Sequence, residues 1–251
     1  MDIGIIGYGT IGRFLEKELS LLKPVDKIYI YDVINNIPEN KGIRVDSVDE
    51  MLMKKPNLII ECASQDAVRE YAVKVLSEGI SFMILSVGAL LERNLLEKVK
   101  FTAERNNIKI YIPVGAIGGV DSILSAGTKK IRKVELTTTK HPKSLNRNDA
   151  KRTVIFDGVA SEAVQKYPKN INVSAIITLA SNMPGNLVRV RIISDPDIKI
   201  NSHEIYLEGD FGKFHSKIEN MTMPGNPGTS YTAALSALSL VKKILSPFNI
   251  G

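Results

Sequence analysis

The first dozen residues constrain this chain more than any others. Ile3, Ile5 and Ile6 form a short apolar run, the pattern of a buried parallel strand, and Gly7-x-Gly9-x-x-Gly12 follows at once as the opening of a helix. In such a turn Gly7 permits the tight passage from strand to helix, Gly9 lets the backbone come close to a pyrophosphate, and Gly12 lets the helix pack closely on the sheet. The N–H groups and positive dipole end at the helix start make an anion site, with Tyr8, Thr10 and Ile11 in the same turn. A lone glycine motif is weak evidence, so its surroundings decide. A helix expected over residues 13–22 leads through Pro24 to a strand over 27–32 that ends in Asp32. That is about 20 residues past the motif, where an acid takes the hydroxyls of an adenosine ribose. A carboxylate there repels a 2′-phosphate and so favours NAD over NADP, although Asn35, Asn36 and Lys41 nearby leave room for a phosphate.

Strand and helix keep alternating beyond Asp32, as a doubly wound parallel sheet requires. Ser47 and Glu50 form a capping box for a helix over 48–55, and residues 58–63 read as the next buried strand. A helix over 65–78 stops at Gly79, a strand spans 82–87, a long amphipathic helix covers 91–106, and a strand over 109–114 closes the unit. Residues 1–112 are therefore expected to be a Rossmann domain. Cofactor contacts in such sheets come from loops beyond the carboxyl ends of the strands, which singles out Ala63 and Ser64, then Ser86, Val87 and Gly88. Cys62 reads as a small buried strand residue, because no feature near it would lower a thiol pKa.

The character changes at Gly115, Ala116, Gly118 and Gly119, where small residues let the backbone lie flat against a ligand or act as a hinge. A short helix over 121–126 and a β-branched strand over 133–140 open a smaller α+β catalytic domain, expected over 113–225. A polar stretch, 141–152, precedes a helix over 157–166; Asn172 is placed to N-cap an apolar helix over 173–181. Strands over 187–194, 199–208 and 211–219 are expected to complete an antiparallel sheet. A Pro- and Gly-rich loop, 222–230, then feeds a helix over 231–245, apolar on a broad face and expected to pack back on the Rossmann domain within a segment 226–251.

Composition narrows the function. No run approaches the ~18 apolar residues of a membrane helix, and the N-terminal strand reads as part of the fold and not as a signal peptide. A single cysteine excludes an internal disulfide and suits a reducing cytoplasm. The net charge of +6 is spread over 33 basic and 27 acidic residues without a basic stripe, so nucleic-acid binding is unsupported, while a mild excess of lysine draws in small anions. With no Cys pair and no two-His helix spacing, a metal site is not expected.

The glycine turn, the segment from Pro113 to Asp121, the segment from Tyr167 to Val173, the cluster Asn201, Ser202, His203, Glu204, Ile205, and the segment Asn226 to Ser230 together resemble the L-aspartate dehydrogenase family over nearly the whole chain. That resemblance implies a small homodimeric enzyme that uses NAD or NADP to interconvert aspartate with iminoaspartate, or oxaloacetate plus ammonia, and that feeds quinolinate and NAD synthesis. It further implies that Ala116 and Asn172 contact the nicotinamide end of the cofactor and that His203 is catalytic. The chain has Lys140, His141 and Pro142 where the family commonly has Lys-Pro-Pro, which leaves substrate contacts in 141–152 open.

The chemistry of an amine oxidation can be argued from the groups themselves. The cofactor supplies the hydride acceptor. A proton acceptor is then needed, and His is suited to it. On residue type alone His203 is an ordinary hydrogen-bonded histidine; its rivals are His141, in the polar stretch, and His215, between Lys213 and Lys217 on a solvated strand face. The two carboxylates of a dicarboxylate call for cations, from Lys140, Arg147, Arg152, Arg189 or Arg191, with neutral hydrogen bonds available from Asn201, Ser202, Thr229 and Ser230. Two other readings share the N-terminal half: a two-domain reductase related to homoserine dehydrogenase or dihydrodipicolinate reductase, and a catalytically silent protein that senses NADH.

Overall fold

The computed structural model describes residues 1–34, 42–167, 172–248 and 250, so Asn35, Asn36 and Lys41 lie outside the described residues. The first half runs β1 (Ile3–Ile6), α1 (Thr10–Leu19), β2 (Ile28–Tyr31), β3 (Ile43–Arg44), α2 (Val48–Met53), β4 (Leu58–Glu61), α3 (Gln65–Ser77) and β5 (Ser81–Ile84). A 3₁₀ turn at Val87–Leu91, α4 (Arg93–Arg105) and β6 (Ile110–Tyr111) complete it. Among the described residues these strands form one parallel sheet in the order β3-β2-β1-β4-β5-β6, with Ile3 opposite Ile28 on one side and Leu58 on the other. Every residue of β1 and β4 is buried, which is why these strands read as continuous apolar runs without alternation. Chain order reverses between β1 and β4, and beyond their carboxyl ends such a reversal opens a crevice.

The glycine turn lies at that crevice. Gly7 adopts φ +96°, and a Cβ on Gly12 would stand 2.2 Å from the carbonyl oxygen of Gly7. Because Gly9 itself is the N-cap, α1 starts inside the turn and ends at Leu19, earlier than the expected 13–22. The strand expected over 82–87 stops at Ile84, and the chain passes through the 3₁₀ turn before α4 begins at Arg93. At α2 the Ser47 hydroxyl accepts from Glu50 N–H as a cap should, while the Glu50 carboxylate reaches back to Asp46 N–H.

The second half contains α5 (Val120–Ala126), β7 (Ile131–Lys140), a 3₁₀ turn at Pro142–Leu145, β8 (Thr153–Val159), α6 (Ala160–Lys166), α7 (Asn172–Ala180), β9 (Arg189–Ser194), β10 (Asn201–Gly209), β11 (Gly212–Asn220), β12 (Thr222–Met223), β13 (Asn226–Ser230) and α8 (Tyr231–Leu245). Four expectations are corrected here. The helix placed over 157–166 begins only at Ala160, because Val154, Phe156 and Asp157 are drawn into β8 by its ladder with β9. The sheet is mixed and not antiparallel: in the order β11-β10-β7-β9-β8, β7 and β9 run parallel. The loop 222–230 forms a two-stranded ribbon of β12 and β13. Asn172 opens α7 as its first helical residue instead of capping it from outside.

By contacts the chain divides into one unit made of residues 1–113 with α8 from Ala237 on, and a second made of residues 114–236. Within the first, Ala237, Leu238 and Val241 of α8 join Ile3, Ile5, Leu15, Leu19 and Ile28 in one buried cluster, so the last helix does pack on the Rossmann sheet and α1. Among the described residues no helix is long and apolar enough to cross a membrane. The close approach at Gly12 sets the first test. Gly12→Ala is expected to destabilise the protein by ~1–3 kcal/mol, read as a lower urea midpoint, because the added methyl meets backbone that cannot yield. An unchanged midpoint would show that the turn relaxes freely.

Candidate active site

The first unit gathers its sequence-predicted residues at the carboxyl ends of β1, β2, β4 and β5. Asp32 Oδ2 accepts from Tyr8 N–H at 2.5 Å and Oδ1 from Ile34 N–H at 2.8 Å, so this acid ties the end of β2 to the glycine turn. Among the described residues other than its chain neighbours, no atom lies within 4 Å of a Cβ built on Gly9, and Gly9 as N-cap has no side chain to cover the α1 N-terminus. An open glycine, an uncapped helix start and a ribose-type acid are the parts a dinucleotide pyrophosphate and adenosine require, so the residues present fit that group.

Sequence reasoning passed over the residue that organises the neighbouring loops. Glu61, 0% exposed at the end of β4, accepts from Ala63 N–H at 2.8 Å, Ser86 N–H at 3.0 Å and Ser86 Oγ–H at 2.8 Å. Burial pushes its pKa up, and the Ser86 and Ala63 hydrogen bonds pull it back toward the charged form. One carboxylate thus fixes both loops named as cofactor contacts. The signal available was a lone acid in an otherwise apolar strand. Ser64 caps α3 by accepting from Ala67 N–H at 3.2 Å, and Val87 and Gly88 are buried in the 3₁₀ turn. Cys62 directs its thiol to the Gly7 carbonyl at 3.1 Å; burial, then the charges of Glu61 and Asp32, hold its pKa well above the usual thiol range, so it stays a protonated packing residue.

In the second unit the inner face of the mixed sheet changes character along its strands. Val134 and Leu136 of β7, Ile205 and Leu207 of β10 and Val190 and Ile192 of β9 make it apolar. Toward the end where β10 begins, the same alternation brings Thr138, Lys140, His203, Asn201 and Asn220 to that face, all buried. His203, 3% exposed, is paired with Thr138 in the ladder, and its Nδ1 lies 3.0 Å from the Thr138 hydroxyl oxygen. With the proton on Nδ1 the ring donates to that oxygen and its Nε2 is left to accept a proton. Burial, and secondarily the Lys140 cation, lower the His203 pKa to about 3, while burial lowers Lys140 to about 8.

The ribbon closes over this end: Lys140 Nζ reaches the Gly228 carbonyl at 3.5 Å, and Asn201 Nδ2 donates to Ser230 Oγ at 3.4 Å. Thr229 lies beside them on β13, whereas Ser202, paired with Thr139, occupies the opposite face of β10. The four arginine candidates are already engaged, Arg147 by Asp149, Arg152 by Asp195, and Arg189 and Arg191 by Asp157. Lys140 lies buried on the face of His203. His215 bonds Glu204 at 2.8 Å on the exposed face, and His141 accepts from Lys143 N–H at the head of the 3₁₀ turn. Beside Asn201 a cavity of about 390 Å³ is lined also by His141, Lys143, Ser144, Asp197, Lys199 and Thr222.

The glycine-rich segment lies across the same sheet. Gly118 and Gly119 pass so close to Ile218 and Phe214 that a Cβ on either would clash, and Asn220 Nδ2 donates to the Ala116 carbonyl at 2.9 Å. Its small residues are thus needed against β11 itself. Asn220 was not singled out from sequence, since an asparagine at a strand end is ordinary turn material.

Comparison with known proteins adds the following. Residues 7–113 match the family described as homoserine dehydrogenase, NAD binding domain, and residues 121–244 match aspartate dehydrogenase, C-terminal. The L-aspartate dehydrogenase of Methanosarcina mazei is 45% identical over 272 aligned positions, covering 100% of this chain and 99% of that protein. That of Methanosarcina barkeri is 39% identical over 273 positions with the same coverage. A crystal structure of aspartate dehydrogenase from Thermotoga maritima superposes with a TM-score of 0.85 at 30% identity, covering 100% of this chain and 99% of that one.

The buried imidazole makes stability depend on pH. Unfolded chains bind a proton at His203 below about 6.5, whereas the folded protein resists it until about 3, so this residue's contribution is present above 6.5 and lost as pH falls through that window. His203→Gln is expected to flatten the acid limb of a plot of unfolding free energy against pH by about 5 kcal/mol. Parallel acid limbs in the two proteins would refute the burial argument.

Proposed function

Because this chain belongs to the aspartate dehydrogenase family, we propose that its reaction is the NAD(P)-dependent oxidation of L-aspartate to iminoaspartate, with the reverse reductive amination of oxaloacetate, and that His203 is its proton acceptor. The enzyme is an oxidoreductase acting on CH–NH2 donors. The observation that carries the residue assignment is a neutral imidazole buried on one sheet face with Lys140 and Asn201.

When bound, the nicotinamide supplies the hydride acceptor, since that chemistry belongs to the cofactor. Gly7 to Gly12 would hold its pyrophosphate, Asp32 its adenosine ribose, and the loops at Ala63–Ser64 and Ser86–Gly88, kept in place by Glu61, its other half; Ala116 and Asn172 are assigned to the nicotinamide end by the family resemblance. We read the preference as NAD, since the carboxylate of Asp32 disfavours a 2′-phosphate. Neutral His203 takes a proton from the substrate ammonium or from water attacking the imine. Lys140 meets a substrate carboxylate, and Asn201, Thr229 and Ser230 add neutral hydrogen bonds. The substrate carboxylates beside Lys140 oppose the charge repulsion that helps hold the imidazole's basicity down, so the base strengthens when substrate is present. Homodimeric assembly, a cytoplasmic setting and a supply of iminoaspartate to NAD synthesis rest on the family resemblance and on the single cysteine.

NADH oxidation with oxaloacetate plus ammonium, set against other 2-oxo acids, tests this reading: turnover confined to oxaloacetate supports it, and a silent NADH sensor would show none. His203→Ala is expected to lower kcat by ~10²–10⁴ with NADH affinity nearly unchanged; near-native turnover would remove His203 from the mechanism. Asp32→Gly is expected to shift the NADH to NADPH ratio of kcat/KM by about tenfold toward NADPH. An unaltered ratio would take cofactor choice away from this carboxylate.

A further inference from the structure

The amide of Asn220 has one half occupied and the other not. Its Nδ2 donates to the Ala116 carbonyl at 2.9 Å, which fixes the orientation of the group, because a flipped amide would set two carbonyl oxygens against each other. Its Oδ1 is buried and has no hydrogen-bond partner among the described residues, in a side chain 1% exposed. A buried acceptor left unsatisfied is costly, and native structures seldom retain one without a use.

The register shows where that acceptor belongs. Asn220 pairs directly with Asn201 across the β10–β11 ladder, and directly opposed residues share a face, so it lies on the face of Asn201 and, two positions along β10, of His203. The side chains offered there to a dicarboxylate are chiefly donors: Lys140, Asn201 and Ser230. Asp195, the acid that follows β9, is committed to Arg152 and to Asp197 N–H. An amino acid, however, also brings an N–H-rich group, which calls for an acceptor in addition to His203 Nε2.

Resting on the aspartate reading above, we propose that Asn220 Oδ1 receives the substrate nitrogen and makes the site selective for an amine or imine over a ketone. Ammonium, neutral amine and imine nitrogen in its protonated form all carry an N–H to donate, so the same oxygen serves before and after the proton moves to His203. The ketone of oxaloacetate carries none and would place its oxygen lone pairs against those of Oδ1. A site built around such a hydrogen bond discriminates strongly against the analogue that lacks it.

The test compares L-aspartate with succinate, which has both carboxylates and no amine, as ligands of the NADH-loaded enzyme, followed by the fluorescence of bound NADH. Wild type is expected to bind L-aspartate at least about tenfold tighter than succinate. Asn220→Ala should abolish that preference while leaving the Kd for succinate within about twofold, and should raise malate formation from oxaloacetate relative to reductive amination. Asn220→Asp keeps an acceptor and loses the donor to Ala116, so it should retain the preference; it separates the proposed role from mere support of the loop. A preference that survives in Asn220→Ala, or an equal loss for both ligands in both variants, would overturn the proposal. A wild-type enzyme that bound neither dicarboxylate would overturn the aspartate reading and this inference with it.

Discussion

The ladder between β7 and β10 governs what the second unit can do. Its register sets His203 against Thr138 and Ile205 against Leu136, so one inward row carries both the apolar core and the polar groups at its end. A strand has a side-chain period of two, and a slip by one residue would turn His203 and Asn201 outward and bring Ser202 and Glu204 in. The burial of Ile205, Leu207, Val134 and Leu136 resists that slip. Hydrophobic burial along most of the row therefore holds a buried imidazole and a buried ammonium where water alone would not leave them.

The first unit solves a related problem with a single acid. Parallel strands end together, and the loops beyond them carry backbone groups that must be both satisfied and held at set positions. Glu61 satisfies donors from two successive loops, and Asp32 does the same between β2 and the glycine turn. Each places a carboxylate beneath a loop in preference to relying on loop packing. The arrangement also accounts for the inertness of Cys62, which sits between those two negative charges.

Much of this was legible in the chain. The buried strands, the glycine turn, the acid at position 32 and the returning α8 follow from periodicity and from residues with few permitted roles. What escaped notice depended on partners distant in sequence. β8 was mistaken for the start of a helix because Asp157, Gly158 and Val159 look like a helix entrance until β9 supplies a ladder. The direction of β9 relative to β7 is a property of the connection and leaves no trace in either strand. Lys140 could be named as a cation, but its burial on the face of His203 became evident only once the strands were seen paired. Asn220 and Glu61 carry no local signature of their roles; both act through hydrogen bonds to backbone far along the chain.

The position of α8 has a consequence for how the molecule is made. Ala237, Leu238 and Val241 fill a cluster with Leu15 and Leu19, yet they are synthesised after the whole of the second unit. As the chain emerges from the ribosome, the α1 side of the first sheet stays open to solvent until the final helix arrives. Folding of the amino-terminal half is thereby held back from completion, and its exposed leucines and isoleucines define the interval in which a chaperone or an aggregate can take hold.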